Sequence, residues 1–332
     1  MPMQRSRIVG TGSYVPERVV GNGEVSSSLA RDPDRVFRLT GIRTRHWASE
    51  CQASSDLAAE AARHALEAAG MAPTSLDAIL VSTTSPDTTF PSTACYVQRA
   101  LGARAVAAFD LAASCSGFLY ALSMADAMVR SGQAKCCLVI AAEVKSRFLD
   151  REDDATAVLF GDGAGAAIVV GETVVDGHGS GILGIRLYAD GARHRLIQVA
   201  AGGSRTPGSS DTIGRNQHVI RMQGGSLFRI AVRRLEAAVR DHVKEFGVGL
   251  SEVKRIVVHQ ANARLLAALR DRLGLPPEVL YSVIERFGNV SSASLPIALD
   301  WAVRDGCIAA GDLVLLGAFG GGLTWATALM RW

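Results

Sequence analysis

No apolar run in the chain reaches the roughly 18 residues that mark a candidate membrane span. The opening MPMQRSRIVG carries charge with no long apolar core behind it. Both absences argue against membrane insertion and predict a cytoplasmic protein. Charge of one sign is also missing. The 35 basic side chains stand against 32 acidic ones, for a net charge of +3, with no basic block long enough for a nucleic-acid face. No nucleic-acid partner is expected. The six cysteines, Cys51, Cys95, Cys115, Cys136, Cys137 and Cys307, form no CxxC pair and show neither disulfide-framework nor zinc spacing, so no metal is expected. The glycine-rich FGDGAGA at 160–166 has no GKS or GKT and is not placed as a strand-to-helix dinucleotide fingerprint. Close packing of sheet on helix is the preferred reading there.

What is present is a 48% apolar chain of 332 residues, enough for two small cores or one fused core. Helical spacing runs through Asp56 to Gly70 and Ala94 to Leu101, and buried-strand runs through Asp77 to Thr84, Ala105 to Leu111 and Lys135 to Glu143. An apolar helix joins the last two strands. The same order returns as helix Leu227 to Phe246, strand Val253 to His259, helix Ala263 to Leu273, strand Leu280 to Arg286, helix Ser294 to Asp305 and strand Asp312 to Leu316. The offset of about 176 positions predicts duplication of a whole α/β unit, with parallel strands covered on both faces and a joint near Gly171 to Asp176.

Three side chains stand where such a fold builds sites. Cys115 lies between a strand and an apolar helix, whose unpaired amides and positive end favour a thiolate. An inert core cysteine is the competing reading. The strand from Val253 ends in HQAN, which places His259 at a carboxyl edge of the sheet. The next ends in GNVSS, which brings Asn289 to the corresponding edge, although asparagine there also reads as a turn residue. Val290 and Ser291 fall near the repeat counterpart of Cys115, and His259 near that of Ser82 or Thr83, so convergence across a pseudo-dyad is expected. The glycines of FGGGL at 319–323 are able to aim amides at a reacting carbonyl oxygen, or simply to form a flexible turn.

TGIR at 40–43, DLAASCSGFLYAL around Cys115, FGDGAGAA, HQAN, GNVSSAS and AFGGG occur together in one order. On these motifs the chain resembles the β-ketoacyl-acyl-carrier-protein synthase III family, of thiolase fold, over nearly its whole length. The resemblance implies two duplicated α/β halves, 1–173 and 174–332, with mixed, mostly parallel sheets and buried central helices. It implies Cys115 as nucleophile, His259 and Asn289 as the decarboxylation pair, and the amides of Cys115 and Gly321 as the oxyanion hole. Asn262, Gly224 and Phe228 would line the pantetheine tunnel, Arg264 would meet the acidic acyl carrier protein, and Phe90 would enter the acyl pocket of a partner subunit in a homodimer. The implied reaction joins an acyl group from acyl-coenzyme A or a related thioester to malonyl-acyl carrier protein, with loss of carbon dioxide and no further cofactor.

The pattern departs at the donor end. Arg35 and Asp154 stand where many members carry a tryptophan and an arginine around the coenzyme A adenine, and Leu39 replaces a common arginine. Weaker nucleotide grip is expected unless Arg35 or Arg38 supplies a cation. A variant reading is a 3-oxopimeloyl synthase of the biotin pathway, with Arg147 as the buried cation for a glutaryl carboxylate and Ser291 adding a hydrogen bond. Arg147 equally suits anchoring of its loop through backbone carbonyls. Acyl transfer to an alcohol or amine in secondary metabolism, and a non-catalytic carrier-binding scaffold, are further readings. The presence of His259 and Asn289 favours decarboxylative condensation over both.

Overall fold

The structure, a computed structural model, describes residues 3–29, 32–153, 155–174 and 179–332. Apart from short strands and turns, the first half runs β1 (Met3–Tyr14), α1 (Ser54–Ala69), β2 (Ala78–Ser82), α2 (Thr93–Leu101), β3 (Ala107–Leu111), α3 (Gly117–Arg130), β4 (Cys136–Val144) and β5 (Asp162–Val174). The second runs β6 (Gly181–Ala189), α4 (Gly224–Glu245), β7 (Arg255–Val258), α5 (Ala263–Leu273), β8 (Leu280–Tyr281), α6 (Ser294–Arg304), β9 (Leu313–Gly320) and β10 (Thr324–Arg331).

The two sheets repeat one topology. The first has the order β1-β5-β4-β2-β3 and the second β6-β10-β9-β7-β8. In each, the last three strands are parallel neighbours, while the first two make antiparallel pairs. The sheets are therefore mixed in equal measure, which corrects the expectation of mostly parallel pairing. A return strand after each βαβ run can pair antiparallel through a short connection, and β9 and β10 do so across 321–323.

Burial explains the layering. Every position of β4 is buried, and its side chains alternate between two cores. Leu138 and Ile140 face α1, whereas Val139 and Ala141 face a central layer containing Phe118 and Leu122 of α3 and Leu295 and Leu299 of α6. On the far side of the second sheet, α4 and α5 pack Leu235, Val239, Leu266 and Leu269 against Ile256 and Leu315. α3 and α6 are thus covered by sheets of both halves. Within FGDGAGA, a Cβ on Gly165 would stand 2.8 Å from the backbone nitrogen of Ile297 and from Pro296. The segment serves close packing of β5 on α6.

Local boundaries differ from expectation in three places. The joint expected near Gly171 to Asp176 is occupied through Val174 by β5, which pairs with β1 as far as Val174 and Met3. The strand expected over Leu280 to Arg286 shrinks to β8, and Ile284–Phe287 is helical. There the buried Gln260 Oε1 accepts from the Val283 amide and the Ser282 hydroxyl, each at 3.1 Å, so the Val283 amide is taken from a ladder. The helix expected to start at Cys115 begins at Gly117, after a 3-10 turn over Ser114–Ser116.

Candidate active site

β3 carries the chain into the Cys115 turn, and the end of β9 holds that turn from the other half. Ser114 has φ 46, a left-handed conformation that costs about 1–2 kcal/mol for a residue with a Cβ. Thr324 Oγ1 donates to Ala113 O at 2.9 Å and lies 2.7 Å from Ser116 Oγ, which pins the turn on both sides. The backbone of β9 comes so close that a Cβ on Gly320 would stand 2.5 Å from Cys115 N. This contact places the Gly321 amide beside Cys115. Among the described residues neither the Cys115 nor the Gly321 amide N–H has a backbone partner, which is the condition an oxyanion hole requires.

His259 follows the end of β7, whereas Asn289, expected at the end of the next strand, follows the helical turn Ile284–Phe287 and makes a parallel bridge to Phe160 of the first half. The backbone amide of His259 donates to Gly317 O at 2.8 Å, and its Nδ1 lies 2.7 Å from Ser294 Oγ, so the ring is fixed from behind. Burial lowers its pKa to about 4, against a smaller opposing effect of the Ser291 backbone, and the imidazole is neutral at ordinary pH. Asn289 Oδ1 accepts the Ser291 amide at 2.9 Å. With its oxygen committed, the Asn289 amide group presents Nδ2, a donor, to the cavity it lines.

Cys115, His259 and Asn289 share one cavity of about 520 Å³. Gly321 borders it beside Cys115, and Gly224, Phe228, Asn262 and Arg264 also line it. Asn262 also caps α5, its Oδ1 accepting the Leu265 amide at 2.9 Å. Leu39, 44% exposed, lines the same cavity.

The thiol does not behave as its helix-end position predicts. Burial pushes Cys115 up to about 11 and the Glu143 carboxylate adds to the rise, against a Ser291 hydrogen bond and the Lys145 charge. Cys115 therefore rests as a thiol, and a proton acceptor would be needed for it to act as a nucleophile.

Several expected donor contacts lie elsewhere. Arg147 places Nη2 3.0 Å from Ser49 O, 3.0 Å from Glu50 O and 2.6 Å from Gln52 O, and does not line the cavity. It anchors a loop through carbonyls, which corrects its assignment to a substrate carboxylate. Ser291 sits behind Cys115, its hydroxyl 3.4 Å from Cys115 Sγ and 3.2 Å from Glu143 Oε1. Arg38 pairs with Asp32 at 3.2 Å outside the cavity, Arg35 is exposed, and Asp154 lies outside the described residues. Phe90 is 84% exposed and does not border the cavity of its own chain.

Sequence reasoning missed the polar support beneath the site. Glu143 and Lys145 form an enclosed ion pair at 2.9 Å, and Glu143 accepts from Ser85 Oγ at 2.7 Å and Ser292 Oγ at 2.8 Å. Burial alone would raise the Glu143 pKa, but Lys145 and these hydroxyls hold it below the usual carboxylate range. The available signal was two charges closing the otherwise apolar run CCLVIAA. Among the described residues no group of three or more His, Cys, Asp or Glu side chains is placed to hold a metal ion.

Comparison with known proteins bears on this arrangement. Residues 109–191 match the model of 3-oxoacyl-[acyl-carrier-protein] synthase III, and residues 243–332 match that of its C-terminal region. The chain is 45% identical over 330 residues to a beta-ketoacyl-[acyl-carrier-protein] synthase III of Rhizorhabdus wittichii, with 99% of this chain and 100% of the relative covered. It is 46% identical over 330 residues to the protein of the same name in Erythrobacter litoralis, at the same coverage. The crystal structure of 3-oxoacyl-[acyl-carrier-protein] synthase III from Aquifex aeolicus superposes with a TM-score of 0.89 at 40% identity, covering 98% of this chain and 100% of that one. Likeness at this level, over whole chains in sequence and in structure, is likeness of family as well as of thiolase-like fold: this chain belongs to the 3-oxoacyl-[acyl-carrier-protein] synthase III family of acyl-transferring condensing enzymes.

Proposed function

We propose that the protein joins an acyl group, delivered as a coenzyme A thioester, to malonyl-acyl carrier protein with loss of carbon dioxide, giving a 3-oxoacyl-acyl carrier protein as in initiation of fatty acid synthesis. The observation that carries this reading is the meeting of Cys115, His259 and Asn289 in one cavity.

In the first half-reaction Cys115 Sγ attacks the thioester carbonyl while the Cys115 and Gly321 amides hold the oxygen that becomes negative. Loss of one such donor typically costs about 3 kcal/mol. His259, neutral because its pKa is about 4, takes the thiol proton at Nε2 and returns it to the departing coenzyme A sulfur.

In the second, the malonyl-pantetheine arm passes Phe228, Gly224 and Asn262. N–H donors of His259 and Asn289 then stabilise the enolate oxygen as the carboxylate leaves as carbon dioxide. The carbanion attacks the acyl-Cys115 carbonyl, and the cysteine sulfur departs as a thiolate and takes a proton from solvent.

The two steps ask His259 Nε2 to be an acceptor and then a donor, and Ser294 provides for both. Its single hydroxyl hydrogen has two acceptors in reach, His259 Nδ1 at 2.7 Å and Ser291 O at 2.8 Å. Directed to Ser291 O, it leaves Nδ1 protonated and Nε2 free to accept. Directed to Nδ1, it puts the ring proton on Nε2, ready to donate.

Arg264 at the cavity mouth suits an acidic carrier. A homodimer is supported by the exposed Phe90 and by β3, an edge strand whose apolar residues stand only half-buried. A cytoplasmic setting suits six cysteines that are all unpaired. The test is intact-mass analysis after incubation with acetyl, longer acyl and glutaryl thioesters, followed by carbon dioxide release from malonyl-carrier. Absence of an acyl adduct, or an adduct without carbon dioxide release, would overturn the reading.

A further inference from the structure

The main chain of Asn289 is held against the first half. Its amide donates to Leu159 O at 2.9 Å and its carbonyl accepts the Gly161 amide at 3.0 Å, so segment 158–161 fixes where the Asn289 side chain leaves the backbone. Behind both stretches runs segment 43–47, no residue of which lines the catalytic cavity. On one side it grips the turn before Asn289: the Arg43 amide donates to Glu285 O at 2.9 Å and Thr44 Oγ1 to Arg286 O at 2.8 Å. On the other it grips the facing segment, where Arg45 Nη2 donates to Val158 O at 2.9 Å and Trp47 Nε1 to Phe160 O at 3.1 Å. Arg45 Cβ stands 3.2 Å from the place a Cβ would take on Gly161 and on Gly288, so its stem touches the chain on both sides of the asparagine.

Arg45 is a costly choice for a tie that serves packing alone. Its side chain is fully buried, and its hydrogen-bond acceptors, Val158 O, Asn22 Oδ1 at 2.9 Å and Val20 O at 3.4 Å, are all uncharged. Burial lowers its pKa to about 10, against an opposing pull from Glu24, and it remains a cation at ordinary pH. A cation enclosed this way costs desolvation that an apolar side chain would avoid. What the guanidinium supplies in return is a rigid planar fork that reaches oxygens on separate segments at once and fixes them relative to one another. Cys115 draws its support from other elements, Thr324 and the end of β9.

We infer that Arg45 and Trp47 are positioning residues for decarboxylation: through segment 158–161 they set the direction in which Asn289 Nδ2 meets the thioester oxygen of the malonyl unit. The inference rests on the proposed role of Asn289. A reacting partner misplaced by about 1 Å can cost about a hundredfold in rate.

The test compares the two half-reactions in Arg45→Lys and Trp47→Phe. The lysine keeps the charge but has one nitrogen for acceptors on separate segments. The phenylalanine removes the Nε1 donor, keeps an aromatic ring and leaves the buried cation in place, so it probes the same tie in a protein that retains its fold. Acylation of Cys115 is read by intact mass with acyl-coenzyme A, and decarboxylation by carbon dioxide release from malonyl-carrier. The expected result is a kcat for release lowered about tenfold in Arg45→Lys and by a smaller factor in Trp47→Phe, with the KM for malonyl-carrier and the acylation rate unchanged. Arg45→Lys added to Asn289→Ala should lower release no further, because both changes act through one donor. Equal loss in both half-reactions, undiminished release in both single variants, or a further loss in the double variant overturns the inference. Undiminished release by Asn289→Ala alone would instead refute the role of Asn289, an outcome distinct from an impaired Asn289→Ala beside insensitive Arg45 and Trp47 variants.

Discussion

Cys115 Sγ lies 3.4 Å from Ser291 Oγ, and the two residues are 176 positions apart in the chain. That separation is close to the period of the duplication, so the contact joins equivalent turns of the two halves across the pseudo-dyad. The equivalence extends to the backbone: Ser114 has φ 46 and Ser291 φ 51. Both copies have a strained turn ahead of a central helix, but only the first carries a cysteine, and the second supplies a hydroxyl that contacts it. Strain at both positions is sustained by the hydrogen bonds around them.

Cys115→Ala abolishes both acylation and condensation, because no other cysteine borders the catalytic cavity. Intact mass after incubation with acyl-coenzyme A checks this. An acyl adduct persisting in the variant would remove Cys115 from its role.

His259→Ala keeps acylation but makes it pH-dependent. Without the imidazole the rate follows the thiolate fraction of a thiol with a pKa of about 11. It should therefore climb about tenfold per pH unit from about pH 6 to 9. Wild-type acylation stays flat there, because His259 remains deprotonated above its pKa of about 4. The same depressed pKa makes folding pH-sensitive. Between the ordinary 6.5 and about 4 the unfolded chain binds a proton at this position that the folded protein does not. Stability from this group is present above that window and is lost as pH falls through it. The buried His242, also lowered to about 4, acts in the same direction. Thermal midpoints at pH 7.5 and pH 5 should differ less in His259→Ala than in the wild type.

Ser294→Ala should separate the half-reactions. Loss of the hydroxyl leaves nothing to donate to Nδ1, so Nε2 remains an acceptor. Self-acylation continues, while carbon dioxide release from malonyl-carrier falls about tenfold or more, the worth of a hydrogen bond to developing charge. Equal loss in both assays would show a packing defect instead. Ser294→Thr, which restores a hydroxyl, should recover release in part.

Gly320→Ala inserts a methyl group 2.5 Å from Cys115 N. Forcing the two turns apart should cost about 1–3 kcal/mol of stability and lower acylation more than substrate affinity. Glu143→Gln leaves Lys145, only 8% exposed, without its partner. Breaking such a pair typically costs about 3–5 kcal/mol. Denaturant midpoints rank both variants against the wild type.

Arg264→Glu raises the KM for malonyl-carrier and leaves acylation by acyl-pantetheine unchanged, since a reversed rim charge repels an acidic carrier without touching Cys115. The difference should shrink with added salt.

Periodicity alone revealed the duplicated α/β plan, the halves' shared element order and the strand end that bears His259, because buried strands and amphipathic helices write their environment into local residue spacing, whereas Asn289 follows a helical turn and not a strand. The motifs around Cys115, HQAN and GNVSSAS carried the family resemblance and the chemistry expected of it. Pairing direction was not legible: β1, β5, β6 and β10 were not among the strands expected from residue spacing, and their neighbours are set by chain return. Nor was the state of Cys115, since a helix end argues for a thiolate while enclosure beneath both halves, with Glu143 nearby, raises the thiol to about 11. Local spacing carries no sign of the partners of Ser292 and Ser294, and Arg147 suited both a substrate carboxylate and a loop anchor. Hydroxyl and guanidinium groups take their partners from whatever the folded chain brings within hydrogen-bond reach, and those partners lie up to 210 residues away for Ser292 and 98 for Arg147. The sequence by itself thus determined which residue types stand at which strand ends, and the tertiary structure decided their protonation and their partners, because both depend on burial and on contacts between distant segments.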